Sequence, residues 1–149
     1  EKAAAARANG CAHVIVTSRE NTVARVMEIT GGKGVPVVYD SVGKDTLMDS
    51  LDCLQPRGRL ISNGTSSGSV VVDSQLLASK GSIWMTRPAM VHYIQPRAHM
   101  LEMARELFDH VLAGRIASEP QQSFALADAA QAHQALESRR TTGATVLIP

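Results

Sequence analysis

The sequence is poor in aromatic residues and carries no excess of charge of either sign. Aromatics make up 3% of its 149 residues, and 15 lysines and arginines are balanced by 14 aspartates and glutamates, giving a formal net charge of +1. Nucleic-acid-binding surfaces combine basic patches with stacking aromatic rings, so this composition argues against an RNA or DNA partner. No apolar run approaches the roughly 20 residues that span a bilayer. The hydrophobic content of 44% is typical of a soluble globular protein.

Candidate metal ligands and reactive thiols are also scarce. The two cysteines, Cys11 and Cys53, lie in apolar sequence contexts, where we expect small core side chains in a protein of the reducing cytoplasm. The histidines show no ligand spacing with one another or with the cysteines; they are His13, His92, His99, His110 and His133. We therefore predict no metal site, and we identify no residue as a general acid or a nucleophile.

The predicted elements alternate between helices and short β-branched strands. The chain has no initiator Met and begins in helix-forming alanines, which we interpret as a piece of a longer protein. The predicted helices cover residues 1–8, 22–30, 44–56, 74–79, 96–114 and 127–140, and the predicted strands cover 11–17, 35–39, 58–64, 82–86, 121–126 and 144–149. The helix at 96–114 is amphipathic, and its apolar face is expected to point inward; it comprises Leu101, Ala104, Leu107, Phe108 and Val111.

Strand–helix–strand units at these intervals build a parallel sheet that helices cover on both faces, so the predicted class is α/β. Ligands bind such a sheet outside the carboxyl ends of its strands. Here those ends lead into residues 17–19, 40–43, 63–66 and 86–88, which are rich in hydroxyl groups, amide and glycine. Turns favour the same residue types, so composition alone leaves a ligand site and a plain turn both open.

Four stretches of the sequence carry a resemblance to a known family. They are EITGGKGVPVVYDSVGKDT, SLDCLQPRG, GSIWMTRP and LADAAQAHQALESRRTTGATVLIP. In order and nearly without gaps, the chain resembles the C-terminal half of NADPH-dependent quinone oxidoreductases, the zinc-free branch of the medium-chain dehydrogenase/reductase superfamily.

The resemblance implies an incomplete Rossmann-type, doubly wound parallel sheet. Residues 1–90 would form a partial NADP-binding domain, and residues 91–149 would return toward a GroES-like catalytic domain that the chain lacks. The first two strands and the glycine-rich phosphate loop of the family would lie upstream of Glu1. The glycines at 31–34 end a helix and lack the spacing of a phosphate loop.

The resemblance also implies an activity. A full-length relative transfers a hydride from NADPH to quinones or other electron-poor enones, in the cytoplasm, as a homodimer joined through the edge strand that here runs from Ser82 to Thr86. The 149-residue chain alone is expected to be inactive. Two alternatives stay open: an enoyl-thioester reductase of the same superfamily, and a non-catalytic relative that acts as a lens crystallin or binds RNA.

Cofactor-binding positions follow from the resemblance residue by residue. Lys2 would face the adenosine 2′-phosphate and favour NADPH over NADH. Thr17 stands where close relatives carry a tyrosine near that phosphate, and we hypothesise that Arg19 compensates. Val42 would bring its backbone to the cofactor, while Arg139 would reach back to it. The remaining positions lie along the nicotinamide ribose and pyrophosphate, or near the carboxamide: Asn63, Gly64, Thr65 and Ser66, then Pro88, Ala89 and Met90.

The acid at the end of the strand at 35–39 has a different expected role. Asp40 is predicted to order the turn that follows, because a carboxylate at a strand end bonds nearby backbone amides. Val42 and Gly43, with their short or absent side chains, would let the backbone run close to a dinucleotide.

Overall fold

The computed structural model describes residues 1–138 and 140–149. The chain divides into two compact units, one over Ala3–Tyr93 and the other over Ile94–Pro149. Each unit has its own parallel β-sheet. The parallel α/β class predicted from the sequence is therefore confirmed.

The first unit contains five helices and three strands within its described residues. In chain order they are α1 (Lys2–Ala8), α2 (Thr22–Ile29), β1 (Val35–Asp40), α3 (Leu47–Asp52), β2 (Leu54–Ser62), α4 (Ser74–Ser79), β3 (Trp84–Thr86) and α5 (Met90–Tyr93). Local signals set several ends. The side chain of Asn21 accepts a hydrogen bond from the amide of Ala24 at 2.8 Å and so caps α2. Gly10 and Gly31 follow α1 and α2 in the left-handed region, as glycines at helix ends often do.

The three strands form one parallel sheet in the order β1–β2–β3. Val38 lies opposite Leu60, and Leu60 lies opposite Met85. These three side chains share one face of the sheet, where Leu60 forms a core with Leu51, Leu54 and Ile83, and Val38 and Met85 pack against that core. Leu47 from α3 and Leu76 and Leu77 from α4 pack against the same core. Both helices therefore bury their apolar sides on a single face.

The opposite face of this sheet departs from the prediction of two covered faces. Tyr39 is 76% exposed and Trp84 is 71% exposed, and Val37 is 36% exposed. The reason is that α3 and α4 contribute their apolar residues to the other face. Within the described part of this unit, the strands are thus buried on one side only.

Two predictions for the first unit are wrong, one of a strand and one of a helix end. The sequence predicted a strand at 11–17, but these residues form no strand pairing with any described segment, although residues 14–16 are half-buried. A strand needs a hydrogen-bonding neighbour, and β-branched composition does not supply one. The helix predicted to run to residue 56 ends at Asp52, because Leu54 already pairs with Val35 in β2.

The second unit contains a long helix, a two-stranded sheet and a shorter helix. Its elements are α6 (Arg97–Leu112), β4 (Gln122–Ala125), a 3₁₀ turn (Leu126–Asp128), α7 (Ala129–Glu137) and β5 (Thr145–Ile148). β4 and β5 are parallel, with Gln122 opposite Thr145, and the side chain of Gln122 donates a hydrogen bond to the carbonyl of Thr142 at 2.7 Å. In the described part of the chain, no helix has both the length and the apolar character needed to cross a lipid bilayer.

The structure corrects two expected burials. The face of α6 predicted to point inward is exposed at Leu101, Leu107 and Phe108, by 39%, 50% and 61%. Periodicity identified an apolar face but could not show whether anything covers it. Cys11, expected in the core, is exposed because it follows the turn that ends α1, whereas Cys53 is buried.

Candidate functional site

The carboxyl ends of the three parallel strands meet at one edge of the sheet. Asp40, the last residue of β1, lies opposite Ser62, the last residue of β2. Thr86 ends β3 opposite Ile61. The segments that follow β1, β2 and β3 therefore start side by side, as the parallel topology predicted. We call these segments the first loop (residues 41–46), the second loop (residues 63–68) and the third loop (residues 87–89).

The carboxylate of Asp40 organises the first loop. Its Oδ1 atom accepts hydrogen bonds from the backbone amides of Val42 at 2.8 Å and Gly43 at 3.0 Å. Asp40 is only 5% exposed, so these bonds form in a desolvated setting where a carboxylate needs partners. The turn after β1 is thus fixed by the side chain of the residue that ends the strand, as expected from the sequence.

Two hydroxyl groups complete the environment of this carboxylate. The Oδ2 atom of Asp40 accepts hydrogen bonds from Ser50 Oγ at 2.7 Å and from Thr46 Oγ1 at 2.8 Å. Burial by itself raises the pKa of Asp40, but the hydrogen bonds from Ser50, Gly43, Thr46 and Val42 together outweigh burial and hold this pKa below its ordinary value. The group is therefore a stable anion at neutral pH and is poorly suited to exchange protons with a substrate.

The main chain of Asp40 holds the second loop as its side chain holds the first. Its carbonyl oxygen accepts hydrogen bonds from the backbone amides of Asn63 at 2.9 Å and Gly64 at 3.2 Å. The backbones of the two loops are pressed together here, because a Cβ atom on Gly64 would lie 2.0 Å from the carbonyl oxygen of Ser41. Gly43 is crowded in the same way: its Cβ would lie 2.7 Å from the carbonyl oxygen of Gly68, and its φ is +100°.

Further hydrogen bonds join the first and second loops along their length. The carbonyl oxygen of Val42 accepts from both the amide and the hydroxyl of Ser67, each at 2.9 Å. Ser67 Oγ also accepts from the amide of Asp45 at 3.0 Å, and the carbonyl oxygen of Gly68 accepts from the amide of Lys44 at 3.3 Å. These bonds tie the two loops into one surface.

A basic side chain joins the third loop to the same edge. Arg87 Nη1 donates to the carbonyl oxygen of Ser62 at 3.2 Å and to that of Gly64 at 3.4 Å. The residue is exposed, so its remaining guanidinium N–H groups have access to solvent or to a ligand. The edge therefore carries a fixed positive charge beside loops rich in hydroxyl groups.

The structure brings together most of the predicted cofactor positions. Val42, 36% exposed, lies in the first loop, and the hydroxyl of Ser66 approaches its carbonyl oxygen to 3.5 Å. Asn63, Thr65 and Ser66 are exposed in the second loop, with Gly64 half-buried between them. Pro88 and Ala89 follow Arg87, and Met90, 74% exposed, begins α5. Their roles toward a cofactor stay predictions.

The other predicted positions lie elsewhere. Lys2 is exposed in α1, and Thr17 is exposed in a turn in which the amide of Arg19 donates to the carbonyl of Val16 at 2.8 Å. Arg139 lies outside the described residues.

The residues that support the edge were not among the predicted positions. Thr46 and Ser50 are four residues apart, a spacing that places both hydroxyls on one side of a helix start, and this was the available signal. Ser67 and Arg87 had weaker signals, since a serine in a loop and an arginine before a proline are common. Their roles appear only when the strands are placed next to each other.

The described residues offer no set of metal ligands. Across residues 1–138 and 140–149, no group of three or more histidines, cysteines, aspartates or glutamates could hold a metal ion.

Comparison with known proteins gives a consistent set of relatives. A family model described as zinc-binding dehydrogenase matches residues 9–147. A quinone oxidoreductase of Pseudomonas aeruginosa is 51% identical over 150 residues, covering 100% of this chain and 46% of that protein. A 2-haloacrylate reductase of a Burkholderia species is 47% identical, covering 100% of this chain and 45% of that protein.

A solved structure supports the same fold. The crystal structure of Escherichia coli quinone oxidoreductase complexed with NADPH matches with a TM-score of 0.92 and 47% identity, covering 99% of this chain and 46% of that one. The chain thus spans about half the length of the curated relatives it matches, and its fold is that of the Rossmann-like half of these proteins.

Proposed function

This chain belongs to the zinc-binding dehydrogenase family, and on that basis we propose that it is the cofactor-binding part of an NADPH:quinone oxidoreductase. The observation that carries the proposal is the carboxyl edge of the sheet. There, glycine backbones pack closely enough to bring two loops together, and amide and hydroxyl side chains stay exposed on them. Such an edge suits the polar groups of a dinucleotide.

We propose that the chain's residues would hold NADPH in the following way. The hydroxyls of Thr65 and Ser66 and the amide of Asn63 would bond the ribose and pyrophosphate, since all three are exposed in the second loop. The ammonium group of Lys2 would neutralise the 2′-phosphate. Backbone groups of Pro88, Ala89 and Met90 would bond the carboxamide.

The reaction requires positioning more than proton transfer. NADPH would supply the hydride that reduces a quinone or another electron-poor enone, and the residues of this chain would orient it. No described residue is assigned as a catalytic acid, base or nucleophile. The zinc that the family description names does not fit this chain, because its described residues include no group of metal ligands.

We further propose a division of labour between two halves. Residues 1–90 would bind the cofactor, residues 91–149 would pack toward a catalytic domain, and that domain would be supplied by sequence corresponding to the other half of the relatives. The test is a fusion protein in which the part of the Pseudomonas aeruginosa relative that precedes the matched region is joined ahead of Glu1. The fusion should reduce a quinone with NADPH, whereas the 149-residue chain should not. A folded fusion that does not bind NADPH would refute the proposed function, and turnover by the chain alone would refute the division.

Cofactor preference is tested at the first helix. Lys2→Ala in the fusion protein should weaken NADPH binding by about tenfold and leave NADH binding nearly unchanged, because only NADPH carries the 2′-phosphate. Arg19→Ala should weaken NADPH binding more than NADH binding if, as we hypothesise, this arginine takes the place of the tyrosine that the family resemblance implies at position 17. Equal losses for both cofactors would show that Lys2 does not face the 2′-phosphate.

The substrate is proposed only as a class. The 2-haloacrylate reductase is nearly as similar as the quinone oxidoreductases, so activated alkenes belong in the same assay panel as quinones. Enoyl reductases are more distant: the solved JamJ enoyl reductase is 21% identical, a likeness that concerns the fold alone. An enoyl-thioester substrate is therefore the secondary candidate. An RNA-binding or lens role is also secondary, and salt-dependent retention on RNA would revive the RNA-binding role.

We also propose a cytoplasmic homodimer that joins two sheets through β3. Support comes from the position of β3 at the end of the order β1–β2–β3, where its outer edge lacks a described partner. Sedimentation of the fusion protein at low concentration should give twice the mass of one chain. A well-folded monomer there would contradict the interface.

A further inference from the structure

We propose that Asp40 is a positioning residue that sets the affinity of the carboxyl edge for the dinucleotide without touching it. This inference rests on the proposed function. Asp40 is 5% exposed, so its carboxylate is not available to a ligand, while the first and second loops, which carry Val42 and the predicted positions at 63–66, are both bonded to it.

The first step of the argument concerns the side chain. A single oxygen, Oδ1, accepts from the amides of Val42 and Gly43. Those two bonds fix the backbone of the first loop at the positions where it is predicted to approach the cofactor. A loop held by two charge-assisted bonds loses less conformational freedom on binding than a loop that is mobile before the ligand arrives.

The second step concerns the main chain of the same residue. Its carbonyl oxygen accepts from the amides of Asn63 and Gly64, which begin the second loop. Because Gly64 is also in contact with Ser41, the two loops cannot move closer, and the hydrogen bonds to the carbonyl of Asp40 oppose their separation. One residue thereby sets the spacing of both loops.

The third step concerns the negative charge. Thr46 and Ser50 donate their hydroxyl hydrogens to Oδ2, so all four donors point at an acceptor. An asparagine at position 40 would present an NH₂ group on one side, and either these hydroxyls or the two amides would have to change partners. The site therefore distinguishes a carboxylate from an amide of nearly the same shape.

The test measures NADPH binding and turnover in the fusion protein, which restores the length of the relatives. Asp40→Asn should weaken NADPH binding and raise its KM by about tenfold, with little change in kcat at saturating NADPH. Asp49→Asn is the matched control, since it makes the same chemical change at an exposed position of α3, outside the three loops, and it should leave both values unchanged.

A second pair of variants guards against a simple loss of folding. Thr46→Val removes one hydroxyl donor at nearly constant shape and should weaken NADPH binding about threefold, while Thr46→Ser keeps the donor and should restore it. All titrations are made well below the melting temperature of each variant. If wild type binds NADPH and both Asp40→Asn and Thr46→Val bind it equally well, the positioning role is refuted. If folded wild type does not bind NADPH, the proposed function itself is refuted.

Discussion

Gly64 lies so close to Ser41 that a Cβ atom on it would be 2.0 Å from the carbonyl oxygen of Ser41. Since this neighbour is backbone, no side-chain rotation could relieve the overlap. Gly64 also differs from most glycines of the chain because its φ is not among the positive values, so space alone requires glycine there.

We therefore predict that Gly64→Ala separates the first and second loops and destabilises the protein by about 3 kcal/mol. Gly31→Ala is the control: its Cβ would meet no atom within 4 Å, and its φ of +61° costs only about 1 kcal/mol of backbone strain. Urea unfolding of the two variants measures the difference. Equal losses would mean that the loops can move apart at little cost.

The hydrogen bonds to Asp40 predict a pH dependence of stability. Because its pKa is lowered in the folded state, Asp40 stabilises the fold above the carboxyl pKa of the unfolded chain and loses this contribution as pH falls through the folded pKa. The free energy of unfolding of wild type should exceed that of Asp40→Asn by about 1–3 kcal/mol at pH 7, and this difference should shrink below about pH 4.

The comparison of wild type with Asp40→Asn cancels the titration of the other carboxylates. Chemical unfolding at intervals from neutral to acid pH measures the difference in free energy of unfolding between the two proteins. When both also carry Ser50→Ala, this difference should be smaller, because one donor to the Asp40 carboxylate is gone. A difference that stays constant over the acid range would contradict the lowered pKa.

The two cysteines should differ sharply in reactivity. Cys53 is 5% exposed, and burial, followed by the nearby charges of Asp49 and Asp52, raises the pKa of its thiol. Cys11 is exposed. A disulfide reagent at mild pH should label Cys11 quickly and Cys53 only when the fold opens. Cys11→Ser should abolish the fast phase; a fast phase that persists in this variant would show that Cys53 is accessible.

The guanidinium of Arg87 should stabilise the end of β2. It donates from Nη1 to the carbonyl oxygens of Ser62 and Gly64. Arg87→Met should lower the free energy of unfolding by about 1 kcal/mol, and Arg87→Lys should lose part of that amount, since an ammonium lacks the planar fork of donors. Thermal unfolding of the three proteins measures this order, and identical melting curves would refute it.

Sequence patterns predicted those elements whose signals are local. The predicted end of the first helix at residue 8 and the predicted start of the second at residue 22 agree with α1 and α2, because the residues that end or cap these helices act within a few positions. The start of β2 was missed because Leu54 fits the helical spacing of Leu47 and Leu51, while its real partner, Val35, is distant in sequence. The exposed face of α6 was missed for a similar reason, since periodicity does not report what covers a helix.

The candidate site divides in the same manner. Its place at the carboxyl edge was predictable from the parallel order of the strands. The convergence of Thr46 and Ser50 on Asp40 was not, because it depends on how α3 returns to the end of β1. The requirement for glycine at position 64 was also hidden, since it comes from Ser41 on the neighbouring strand's loop.

The interlocked first and second loops limit how cofactor preference could be redesigned. An exchange of Ser67 alone would remove the hydroxyl that bonds the first loop, and an exchange of Gly43 or Gly64 alone would place a Cβ atom against the backbone of the other loop. Residues 40–46 and 63–68 should therefore be exchanged together, as one cassette. Over evolution, the same constraint would favour correlated substitutions in these two segments over independent drift.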